Sequence, residues 1–100
     1  MSSIHSEDTG QGFPLVLVHG FLGSSKMWKP QINFFKKNFR VIAPDLPGFG
    51  KSKNIKSHNS IKSTASLLIN CLKEKNIDKF HLLGHSMGGM IAQQMAQISG

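Results

Sequence analysis

The sequence predicts an α/β domain: a sheet of parallel strands with helices on both faces. Three observations lead there. Leu15–Val18, Val41–Ala43 and Phe80–Leu83 read as short, mainly apolar strands, the first and the last fitting strands buried on both faces. Between them lie longer stretches whose apolar residues recur at helical spacing. Strand and helix patterns that alternate along a chain build a parallel sheet.

Taken in order, residues 1–12 are polar, with an edge strand possible at Ile4–Glu7 and a turn at Thr9–Gly12. The run at Leu15–Val18 ends in the loop His19-Gly20-Phe21-Leu22-Gly23. Ser24 and Ser25 are candidate caps for a helix reaching roughly to Lys37, with Met27, Trp28, Ile32 and Phe35 as its apolar positions. Pro30 fits the first turn, where a missing N–H does little harm. Val41–Ala43 is the next strand, closed by Pro44, and a long loop follows from Asp45 to about Ser57. Ile61, Ala65, Leu68 and Leu72 fall on one face of a second helix, from about Ser60 to Lys75, and Asn76 suits a left-handed stop. After the strand at Phe80–Leu83, Met87, Met90, Ile91, Met95 and Ile98 form the stripe of a last helix. Winding from the first apolar strand in both directions would put the loops after strands one and three at a switch point, where ligands bind. That brings His19-Gly20-Phe21 beside Ser86.

Ser86 stands at the tip of Gly84-His85-Ser86-Met87-Gly88, a G-x-S-x-G turn between strand and helix. Such a turn holds the serine in a strained backbone conformation with its hydroxyl projecting, and side chains two residues away on either side would collide. Gly89 is expected to let the new helix pack close to the sheet. The product is an exposed nucleophile at the positive end of a helix.

The bulk numbers narrow the function. One hundred residues allow one small domain, here 1–100. The net charge of +7 comes from lysines scattered along the chain, with no run of four and no interleaved aromatic platform. A solvated surface is expected, with no nucleic-acid partner and no membrane partner. The single Cys71 lacks metal-ligand spacing, and residues 1–12 lack the apolar centre of a signal peptide, so a cytoplasmic setting is expected. Gly50-Lys51-Ser52 resembles the end of a phosphate-binding loop, but Asp45 stands where its first glycine belongs, and no G-x-G-x-x-G follows a strand. Neither an ATP nor a dinucleotide site is expected, and no cofactor or metal.

Three segments together resemble the α/β-hydrolase superfamily: Leu17–Gly23, Val41–Ser52 and Leu83–Gly89, in that family's order and spacing. The likeness is greatest to its esterase, haloperoxidase and ring-cleavage-product hydrolase branch. The resemblance implies that Ser86 is the nucleophile and that the backbone N–H groups of Phe21 and Met87 form the oxyanion hole. It implies that the Phe21 side chain lines the acyl pocket, that His19 braces its loop, that His85 points away from substrate and that Asp45 forms a turn. Serine at 86 argues against relatives that use a carboxylate nucleophile there.

A serine nucleophile needs a base, oriented by an acid. In this fold both follow the serine, yet Met87–Gly100 holds no Asp, Glu or His. The chain is therefore expected to be the N-terminal part of a longer hydrolase of small esters or related carbonyl compounds, ending after the elbow helix. Later strands and a lid would be absent, and the third strand would be left as an open edge. By itself such a chain is expected to be inactive and not to fold cooperatively. A non-catalytic small-molecule binding protein, or a lyase or acyltransferase of the same fold, is the alternative.

Overall fold

The computed structural model describes residues 4–20, 23–47, 50–52 and 60–99. Four strands, β1 (Ser6–Thr9), β2 (Phe13–Val18), β3 (Phe39–Pro44) and β4 (His81–Gly84), form one sheet in the order β1-β3-β2-β4. β2 is the central parallel strand, with Leu15 and Val16 opposite Val41 and Ile42 of β3, and Leu17 and Val18 opposite Leu83 and Gly84 of β4. The edge strand begins two residues later than its sequence suggested. It runs antiparallel to β3, with Ser6 opposite Pro44, so the sheet is mixed rather than wholly parallel.

Among the described residues three helices cover the sheet: α1 (Lys29–Phe35), α2 (Ile61–Glu74) and α3 (Met87–Ser99). The stretch expected as one helix from Ser24 to Lys37 is a short 3-10 turn, Ser25–Trp28, followed by α1 with Pro30 in its first turn. From β2 the chain crosses to β3 on one side and later returns to β4 on the other. Crossovers of one hand then need helices on opposite faces. Accordingly, Leu17, Val41 and Ala43 pack with Trp28 on the α1 face. Val16, Val18 and Ile42 face the other way, onto Leu68 and Leu72 of α2 and Ile91 and Met95 of α3.

Local chemistry fixes the ends of α2. The Ser60 hydroxyl accepts from the Ser63 N–H at 3.0 Å, an N-cap. At the other end Asn76 is left-handed, at φ 62°, as its sequence suggested. The Asn76 N–H donates to the Lys73 carbonyl and the Ile77 N–H to that of Leu72, both at 2.9 Å, while the Ile77 side chain is buried. This is the double-bonded stop that a left-handed residue permits.

β4 departs from its expected burial. Its residues alternate between exposed and half-buried, with Leu83 45% exposed, because among the described residues β4 pairs only with β2 and no helix covers one face at that edge. His81, expected on a buried strand, is exposed there, with its ring 4.9 Å from that of Phe13. No helix among the described residues is long and apolar enough to cross a membrane.

Candidate active site

β4 ends at Gly84 and α3 begins at Met87, leaving two residues for the reversal. The Gly88 and Gly89 N–H groups close it, donating to the carbonyls of His85 and Ser86 at 2.9 Å. To make this turn Ser86 takes φ +59°, a left-handed conformation rarely adopted by a residue with a side chain. Such strain persists only where surrounding structure imposes it. Here the surroundings are backbone. A methyl group at Gly84 would stand 2.2 Å from the Gly88 carbonyl oxygen, and one at Gly88 would stand 2.1 Å from that of Val18. The His85 N–H donates to the same Val18 carbonyl at 3.1 Å, fastening the turn to the central strand. Gly89 is different. A methyl group there would meet only the Gly84 carbonyl, at 3.8 Å, so close packing rests on Gly88 and not, as expected, on Gly89.

The Ser86 and His85 side chains are exposed. Met87 is the first residue of α3, and its N–H is one of four at the helix start without an intrahelical acceptor. Across from it lies Gly20. A methyl group on Gly20 would come within 2.9 Å of the Ser86 Cβ and 3.3 Å of the Met87 nitrogen. The structure thus brings the His19–Gly20 end of the first loop against Ser86 and Met87. Phe21, expected to give the second oxyanion donor, lies outside the described residues, as does His58.

Two buried side chains hold that loop. His19 is fully buried, and its Nδ1 pairs with the Gly20 carbonyl at 2.7 Å, while Nε2 accepts from the Leu46 N–H at 3.0 Å. A neutral imidazole has one donor and one acceptor, which these contacts match. Burial pushes the His19 pKa below its usual value, against the smaller opposing effects of the Gly20 carbonyl and the Asp45 charge.

Asp45, expected only to form a turn, does more. Its buried carboxylate accepts from the Ser25 N–H at 2.5 Å and from the Lys51 N–H at 3.0 Å. Its own N–H donates to the His5 carbonyl at 2.8 Å, and the His5 N–H donates to the Ser52 hydroxyl at 2.8 Å. One carboxylate therefore ties the start of the 3-10 turn to the loop after β3. These partners are 20 and 6 residues away in sequence, and no local pattern announces them. Among the described residues, no group of three or more His, Cys, Asp or Glu is arranged to hold a metal ion.

Comparison with known proteins follows the same lines. The family model for the alpha/beta hydrolase fold matches residues 14–99. The chain is 37% identical over 87 residues to (E)-2-((N-methylformamido)methylene)succinate hydrolase of Acinetobacter baylyi, covering 87% of this chain and 33% of that protein. It is 38% identical over 94 residues to a pimeloyl-(acyl-carrier protein) methyl ester esterase of Legionella pneumophila, covering 94% of this chain and 36% of that protein. A thermophilic esterase from Thermogutta terrifontis, solved with malate bound, superposes with a TM-score of 0.87 at 40% identity, over 94% of this chain and 35% of its own. The chain thus spans about a third of the length of the relatives it matches.

Proposed function

Because the chain belongs to the α/β-hydrolase fold family, we propose that it carries the nucleophile and oxyanion hole of a serine hydrolase acting on small ester or related carbonyl substrates. One observation carries the reading: Ser86, exposed and at φ +59°, stands at the head of α3 against the backbone of Gly20. Two relatives are named esterases, which favours an ester substrate.

In this reading the Ser86 hydroxyl oxygen attacks the substrate carbonyl carbon. The carbonyl oxygen gains negative charge and is met by the N–H groups of Met87 and Phe21. A donor aimed at that developing charge is worth about 3–4 kcal/mol of transition-state stabilisation. Gly20 leaves the Met87 N–H room to act, since a side chain there would crowd it. His19 and Asp45 are positioning groups that fix the loop leading to Phe21. The base that takes the Ser86 proton, and the acid that orients it, are assigned to the part of the family fold that this chain does not span, because Met87–Gly100 contains no Asp, Glu or His.

The test is a fluorophosphonate probe on the full-length protein, followed by peptide mapping and a short-chain aryl ester assay. Ser86 is the expected adduct, Ser86→Ala is expected to lower turnover at least about a thousandfold, and residues 1–100 alone are expected to give none. Labelling at another residue, or a Ser86→Ala protein within about tenfold of the parent, overturns the assignment.

A further inference from the structure

A second surface lies away from the elbow, along α1. Lys26, Lys29, Asn33 and Lys36 follow one another at steps of three, four and three residues, which keeps them on one side of the continuous 3-10 turn and helix. With Lys51 they line a groove of about 1150 Å³, and Glu7 and Thr9 of β1 contribute to its walls. All four lysines are exposed, and none of their ammonium groups pairs with a described acidic residue. The negative groups on the groove are Asp45, buried with both oxygens bonded to backbone N–H, and Glu7, which meets His5. The groove is therefore basic, and the helical part of its lysine row is ~15 Å long at the rise of a helix. Its Lys26 and Lys51 end lies at the C-terminal ends of β2 and β3, the same edge of the sheet as Ser86.

We propose that this groove is a docking site for an acidic helix of a partner protein, laid along α1 with carboxylates facing Lys26, Lys29 and Lys36. The shape and chemistry favour that occupant. The groove is concave, a shape that suits a narrow rod-like occupant better than a flat lipid surface. Among the described residues no aromatic side chain lines the groove to give an unpaired base a stacking platform. A helix with acids at the same three-four-three spacing matches the row along about three turns, the helix-in-groove mode with charge as the selecting element. A partner held there sits beside the edge from which substrate would approach Ser86.

The experiment uses the full-length protein and a fluorescein-labelled helical peptide of about fifteen residues with glutamates at that spacing. Its binding is followed by anisotropy at ~50 and ~150 mM salt. Saturable binding that weakens with salt is expected, together with at least a tenfold loss in Lys29→Glu/Lys36→Glu. The charge-reversed protein is expected instead to bind the same peptide with lysines in place of the glutamates. Lys29→Gln/Lys36→Gln, which only neutralises the row, is expected to weaken both. Equal binding of a glutamate peptide with scrambled spacing overturns the helix register. Unchanged binding in both variants overturns the site. Stronger binding of anionic phosphatidylglycerol vesicles or of single-stranded RNA, lost in the same variants, replaces the partner with a membrane or a nucleic acid. None of these readings uses turnover, so they stand whether or not Ser86 proves to be the nucleophile.

Discussion

In the elbow between β4 and α3, backbone presses on backbone: Gly84 on Gly88, Gly88 on Val18, Gly20 on His85. In the loop after β3, side chains hold the chain: Asp45 accepts from Ser25 and Lys51, and His19 accepts from Leu46. Both regions touch His19, whose neighbour Gly20 meets Ser86, and they differ in what they tolerate. A turn held by close backbone has no room for one added carbon. A loop held by hydrogen bonds has room, and depends on the protonation and identity of a few buried groups. The elbow should therefore fail by steric insertion and the loop by chemical substitution or acid.

The largest effect is expected at Gly88. In Gly88→Ala the new methyl meets the Val18 and His19 carbonyls, at 2.1 and 2.6 Å, and both belong to the central strand and the loop it feeds. Neither is the end of a flexible side chain, so the helix must move off the sheet. A loss of at least about 3 kcal/mol is expected in denaturant melts of the full-length protein, at the upper end of overpacking costs. A melt within 1 kcal/mol of the parent would show that the elbow yields more readily than its backbone contacts imply.

Asp45→Asn is next. The amide keeps the shape and one acceptor oxygen, but turns its NH₂ toward one of two N–H groups that now have a carboxylate oxygen. One buried donor loses a charged partner, at a cost of about 1.5–3 kcal/mol. If the carboxylate only shaped a turn, the melts of variant and parent would coincide.

The His19 contact adds a pH dependence. Burial lowers the pKa of His19 in the folded protein. Between that value and the unfolded value of about 6.5 the unfolded chain binds the extra proton, so acid favours unfolding. The contribution is fully present above about pH 6.5 and is lost as pH falls from there through the folded value. Physically, a proton on Nε2 would face the Leu46 N–H. His19→Gln keeps an acceptor without a titration, and is expected to flatten the decline in stability between pH 7 and 5. An unchanged slope would move the titration to another histidine.

The same contrast explains what was legible in the sequence. G-x-S-x-G is a local pattern at Gly84, where an added carbon would collide with Gly88 and Gly89 of the same turn, whereas the collision at Gly88 is with the distant Val18 and His19. The three parallel strands and the two later helices were equally legible, since apolar runs and one-sided stripes record burial directly. The shape of the Asp45 loop was not. Its bonds join Ser25 to Asp45 and His19 to Leu46, positions that no spacing rule connects. His81 and Leu83 misled for a related reason: apolar residues mark a strand, but whether both its faces are covered depends on which elements pack there. The split of the first helix was hidden because Ser24 caps the 3-10 turn that precedes it, accepting from the Lys26 N–H.

The smallest effect, and one of opposite sign, is expected one residue from the largest. Gly89 follows Gly88 in the same motif, and the sequence alone gives the two the same task. In the structure Gly89 lies in the first turn of α3 without a positive φ, and a methyl group there meets only the Gly84 carbonyl at 3.8 Å, an ordinary contact. Nothing need move. Alanine loses less backbone freedom than glycine on entering a helix, a gain of up to about 1 kcal/mol where the conformation is compatible. Position 89 is close to the helix start, where propensity counts for less than in mid-helix, so the expected gain for Gly89→Ala is about 0.3–0.8 kcal/mol in the full-length protein. Ester turnover is expected to stay within about twofold, since outside its own helix the added carbon meets only the Gly84 carbonyl. A destabilisation above about 1 kcal/mol would mean that the helix approaches its surroundings more closely at 89 than these contacts show. The division between a position that admits no atom and a neighbour that admits one would then fall.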